Sequence, residues 1–154
     1  MSARWRAVRE AAHDGDRGSG AIAVVIFALL FVVLASFVVD GGMAISRRER
    51  AADLAEQAAR AAAQDIDVDA LRSGADLGEN APINYQDCPE IVSKFLTAAG
   101  LSDADVAASG CVEPLNAQEV TVRVQLTYKP MVSALFLTDD QHTQGIATAQ
   151  SLTQ

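Results

Sequence analysis

The sequence predicts an α+β protein. A long N-terminal helix, half transmembrane and half extracytoplasmic, packs on a small antiparallel sheet, with a second short helix alongside. Three stretches carry this prediction. Residues 21–39, AIAVVIFALLFVVLASFVV, hold no charge. Residues 43–66, MAISRRERAADLAEQAARAAAQDI, hold neither Pro nor Gly and consist mainly of strong helix formers. Residues 119–128, EVTVRVQLTY, alternate apolar and polar side chains with the period of a half-buried strand.

The apolar run is long enough to cross a bilayer as a helix, about 28 Å at about 1.5 Å per residue. Fourteen of its positions are Leu, Ile, Val or Phe, which favours insertion by roughly 4–8 kcal/mol. Ser36 is the one hydroxyl and can bond a backbone carbonyl one turn earlier. A cleaved secretory signal would be shorter and would end at a small-x-small site, whereas this run ends Phe37-Val38-Val39-Asp40. A buried core helix would need a larger and less polar domain around it. The reading is a single membrane span over residues 21–39, preceded by a cytoplasmic tail (1–20). It is followed by an extracytoplasmic continuation of the helix (40–66) and a small α+β head (67–154).

Charge divides the chain. Residues 1–20 carry four arginines against three acids, and residues 40–154 carry eight basic side chains against seventeen acidic ones. An acidic head argues against nucleic acid as a partner, because phosphate contact needs clustered Lys and Arg. Arg4, Arg6, Arg9 and Arg17 face Arg47, Arg48 and Arg50 across the span, a near tie that leans towards the N-terminus inside. Trp5 and the first arginines suit the lipid headgroup level, so membrane lipid is one expected partner.

Beyond the span, Asp40-Gly41-Gly42 marks the exit from lipid, and the helix is expected to run on through both glycines. Ile45, Ala52, Ala55, Ala59, Ala62 and Ile66 recur near helical spacing. Ala21, Ala28, Ala35 and Gly42 fall seven apart, a small-residue face on which helices approach closely in lipid. Homo-oligomerisation through this face is one expectation. Asp65, Asp67 and Asp69 open like a calcium loop, but Ala70 stands where the glycine belongs and Asp76 where a bidentate Glu belongs. They read as a helix-to-loop exit, with loop from Ser73 to Pro82.

Asp87-Cys88-Pro89-Glu90 reads as a capping box opening the second helix, with Ile91, Val92, Phe95, Leu96 and Ala99 as its apolar face and Gly100 as its stop. Val106 to Glu113 is the expected first strand, Pro114 to Gln118 the turn, and Glu119 to Tyr128 the longest strand. Lys129-Pro130 ends it. Met131 to Leu137 is expected to cross over the sheet, and Gly145 to Leu152 to form the last strand.

Cys88 and Cys111 are too few for a zinc site and lie outside any Cys-x-x-Cys motif. In an exported head they read as a disulfide, against the alternative of two buried thiols in a cytosolic domain. No catalytic or cofactor-binding constellation emerges. His13 and His142 are the only histidines, there is no phosphate-binding glycine loop, and Asp139, Asp140 and His142 read as a solvated turn rather than a cation site. The expectation is no enzyme, no cofactor and no metal.

The order of parts resembles the bacterial TadE/TadG-like pseudopilins of Tad (tight adherence, Flp-type) pilus systems. The resemblance rests on Arg17-Gly18-Ser19-Gly20 before the span, Val39-Asp40-Gly41-Gly42-Met43-Ala44 after it, and the run from Arg50 to Ala63. It implies a single-pass subunit of pilus assembly or a related secretion apparatus, with other pilin-like subunits or assembly proteins as partners. It also implies Gly18 or Gly20 as a processing point. Type IV pilin-like precursors carry Glu at the fifth mature position, where this sequence has Ala23 or Val25. That departure favours a permanently anchored accessory subunit over a polymerised one. The alternatives are a membrane-tethered binding module unrelated to pili and, if the span is cleaved, a secreted protein.

Overall fold

A computed structural model describes residues 16–73, 81–112, 116–132 and 139–151, with side chains from Gly20 onward. Contacts divide the chain into two compact units that meet between Gly41 and Gly42.

The described part of the first unit is helical. Helix α1, Asp16–Ala63, runs without interruption through Asp40-Gly41-Gly42, as expected from the sequence. Ser36 Oγ donates to the Val32 carbonyl at 2.7 Å, so its polar group is satisfied within the helix.

The second unit holds the core. It comprises the later part of α1, helices α2 (Val68–Arg72), α3 (Cys88–Ala98) and α4 (Asp103–Ala107), and strands β1 (Gly110–Val112), β2 (Glu119–Tyr128) and β3 (Gln141–Gln150). The three strands form one antiparallel sheet in the order β1-β2-β3. β2 pairs along its whole length with β3, from Glu119 opposite Gln150 to Tyr128 opposite Gln141.

Alternation in β2 decides which side of the sheet is dry. Val120, Val122, Val124 and Leu126 are buried, while Arg123 between them is exposed. Buried against them are Val92 and Leu96 of α3 and Ala51, Ala55, Ala58, Ala59 and Ala62 of α1. The inward positions of β3 are small: Gly145, Ala147 and Ala149. Gly145 shows why. A β-carbon there would overlap the Ala51 carbonyl and the Ala52 nitrogen, so the helix backbone lies directly on the strand.

Several boundaries differ from the sequence-based expectation, each for a local reason. α1 ends at Ala63 rather than Ile66, because the chain turns to pair Ile66 with Ile83 and to bond Asp67 N to the Pro82 carbonyl at 2.9 Å. Asp67 then caps α2 by accepting from the amides of Asp69 and Ala70. α3 opens at Cys88, but Asp87 is already helical in its backbone and its carboxylate takes a hydrogen bond from Asn84 Nδ2 at 2.8 Å. Glu90 pairs with Lys94 instead of closing a capping box. Gly100 ends α3 as expected, at φ +79°, with Gly100 N bonded to Thr97 O and Leu101 N to Leu96 O.

The expected strand from Val106 is mostly helix α4, and β1 keeps only Gly110–Val112. Ser102 caps α4 by accepting from Asp105 N, and the helix then covers the edge of β2 that β1 leaves open. β3 begins at Gln141 rather than Gly145, because β2 offers a partner for all ten residues. The expected crossover at Met131–Leu137 lies largely outside the described residues.

Candidate functional site

Two features of the described residues stand apart from an ordinary small domain. The first is apolar. Ile22, Phe27, Phe31, Phe37 and Val38 are among fourteen large apolar residues between positions 22 and 39 that are all exposed. A soluble surface rarely shows so large a continuous apolar area. The segment of α1 from Gly20 is long and apolar enough to cross a membrane. The small residues Ala21, Ala28, Ala35 and Gly42 are likewise exposed. Gly18 and Gly20 both lie within α1.

The second is polar and belongs to the second unit. A cavity of 390 Å³ is lined by Arg47 and Arg50 of α1, Ser102 and Asp105, and Tyr128 and Lys129 at the end of β2. Asp105 is 5% exposed, and a buried carboxylate needs partners. It has two hydroxyl donors: Thr127 Oγ1 to Oδ1 at 2.6 Å and Ser102 Oγ to Oδ2 at 3.0 Å. Because its own O–H donates to Asp105, Thr127 Oγ1 accepts from His142 Nδ1 at 2.9 Å, which places a hydrogen on that ring nitrogen. Ser109 Oγ adds a bond to the Asp105 carbonyl at 2.6 Å and accepts from Gln125 N at 2.9 Å. The network joins α4 to β2 and β3.

The cysteines meet. Cys88 and Cys111 form a disulfide between the start of α3 and β1. His142, expected in a turn, lies in β3, and it does not converge with Asp140 on a cation: Asp140 faces Lys129 at 3.6 Å, and His142 is held by Thr127. Among the described residues no group of His, Cys, Asp or Glu is arranged to hold a metal. His13 lies outside the described residues.

Sequence reasoning missed the buried Asp105 and the gathering of Arg47, Arg50 and Lys129. The first had a signal. Ser102-Asp103-Ala104-Asp105 has the Ser-x-x-acid spacing of a helix start, and here Ser102 and Asp105 do bond reciprocally. The second had none, since Arg50 and Lys129 are distant in sequence.

These features define a class: a chain with, among the described residues, one membrane-length apolar helix, followed by a small disulfide-linked α+β head. Residues 18–65 match the model of the Flp pilus-assembly TadE/G-like family. The matched stretch spans the apolar run and the alanine-rich half of α1, and excludes the sheet and both cysteines. No curated protein matches the chain, and no solved structure does.

Proposed function

We propose that the protein is a single-pass, membrane-anchored pilin-like subunit, structural or accessory, in assembly of a Tad-type pilus or a related secretion apparatus. In this reading residues 1–20 are a cytoplasmic tail, 21–39 the span, 40–66 its extracytoplasmic continuation and 67–154 the outer head. The observation that carries it is an exposed, membrane-length apolar helix inside a segment that matches a pilus-assembly family. The disulfide supports placing the head in an oxidising compartment. The protein works by position rather than by chemistry. The span holds the head at the membrane surface, and the head meets other pilus components. The missing Glu at the fifth position after Gly18 or Gly20 supports a permanent anchor over a cleaved, polymerised subunit.

Protease shaving of intact cells, with intact-mass measurement of the membrane-retained protein, tests topology, processing and cysteine state together. The expected result is an exposed, oxidised head on an uncleaved anchor. Full-length chain in the soluble cytosol with both cysteines reduced would overturn the reading. The Ala21, Ala28, Ala35 and Gly42 face is proposed as the contact between neighbouring spans. Replacing Ala28 and Ala35 by Leu is expected to weaken self-association in lipid; unchanged association sinks that face.

A further inference from the structure

The geometry points to the cavity beside Arg47 and Arg50 as a binding site for a phosphate ester, with an anionic phospholipid headgroup as its occupant. The choice of lipid rests on the membrane anchoring proposed above; the phosphate chemistry does not. Arg47 is half-buried. Among the described residues, neither its guanidinium nor that of Arg50 has a hydrogen-bond or ion-pair partner. A guanidinium partly withdrawn from water without an anion is unfavourable, and this one lines an open cavity.

The chemistry of the lining selects the ligand. Arg47 and Arg50 lie three apart, hence on one side of α1, and two planar forks suit the oxygens of a phosphate. Tyr128 at the end of β2, and Lys129 beside its partner Asp140, complete the polar lining. Both carboxylates of the lining are already engaged, Asp105 by Ser102 and Thr127 and Asp140 by Lys129. A cationic ligand therefore finds no free acid, whereas an anion finds two unpartnered guanidiniums. Leu101 and Leu126 supply apolar wall for a glycerol-sized body. The volume falls in the range of small-ligand sites.

Location favours lipid as the source. Arg47 stands eight residues after Val39, so the chain keeps it within about 28 Å of the span's end even when fully extended. The head as a whole is acidic and gains nothing from general attraction to an anionic surface. A preference for anionic lipid on the side of the head then needs a local site, and among the described residues this cavity combines unpartnered arginines with shape.

The test uses the full-length protein in nanodiscs of phosphatidylcholine with or without phosphatidylglycerol, released and weighed intact by native mass spectrometry. One phosphatidylglycerol retained per chain is expected. Arg47→Gln with Arg50→Gln should lower that retention by about tenfold for each guanidinium lost, and Arg48→Gln should leave it unchanged. Circular dichroism checks that each variant is folded. Equal retention by the double variant, or an equal loss in Arg48→Gln, overturns the site. Displacement of the retained lipid by soluble glycerol phosphate at matching concentration keeps the phosphate chemistry and overturns the lipid as occupant. A chain that never enters the nanodisc overturns the anchoring alone. The Arg47 Nε–H NMR resonance, titrated with glycerol phosphate, then reads the phosphate site: a shift supports it and none overturns it.

Discussion

Helix α1 contains two regions that treat side-chain size in opposite ways. In the first, Val24, Phe31 and Phe37 are 68%, 72% and 74% exposed. In the second, Ala51, Ala55, Ala58 and Ala59 are completely buried. In a water-soluble helix the larger side chains would face the core. The inversion follows from the surroundings each half is built for. The first half is apolar all round, which suits lipid, a solvent that rewards bulk on every side. The second half is narrow because the sheet touches its backbone at Gly145, leaving room for alanine and little else. Buried alanines bring little apolar area, so the stability of the head comes mainly from Val92 and Leu96 meeting Val120, Val122 and Val124.

The contrast can be broken by three substitutions in the head and its helix, two of them with a counterpart in the apolar half. The largest effect is expected for Gly145→Val. The new side chain meets main chain that cannot rotate away, so the head should lose about 3 kcal/mol or more, read as a drop in melting temperature of the full-length protein in detergent. Next comes Leu96→Ala, which empties a fully buried site and should cost about 3 kcal/mol. Its counterpart Leu30→Ala should leave head stability within about 0.5 kcal/mol while weakening membrane insertion. Enlargement sharpens the same comparison. Ala58→Leu should destabilise by about 2 kcal/mol through overpacking, whereas Ala28→Leu should leave the melting curve alone. Equal effects at Ala28 and Ala58 would mean that both halves pack against protein.

The smallest effect belongs to the exposed face of α3, where Glu90 and Lys94 pair at 2.8 Å. The hydrogen bond from Lys94, and then its charge, hold the Glu90 carboxyl below its ordinary range. Glu90 in turn raises the Lys94 ammonium by the same two causes. A depressed carboxyl contributes at neutral pH and loses that contribution as pH falls through its lowered pKa. A raised ammonium loses its contribution as pH rises through its raised pKa. Both groups are largely exposed to solvent, where salt screens them. Lys94→Gln should therefore leave the melting temperature unresolved from wild type at physiological salt, and flatten its acid and alkaline flanks slightly at low salt.

Local period was the most legible feature of the sequence. Nineteen uncharged residues in a row, the alternation of β2 and the glycine stop of α3 each follow from neighbours within a few positions, where side-chain direction is fixed by backbone geometry. The Cys88–Cys111 pairing was also legible, since two cysteines allow one intramolecular bond. Reading failed where a local signal competed with another. Val106 to Glu113 looked like a strand, yet Ser102 and Asp105 close a helix turn before the strand begins.

The amino-acid order by itself determined that this protein has a membrane-length helix, a half-buried central strand and an acidic head, because each is a property of consecutive side chains. Tertiary structure alone decided that Gly145 sits against the backbone of Ala51, that Asp105 takes the hydroxyl of Thr127, and that Arg47 and Arg50 share a cavity with Lys129. Those are meetings between residues far apart in the chain. They are set by where β3 returns and where α1 lies across the sheet, and no spacing in the sequence encodes them.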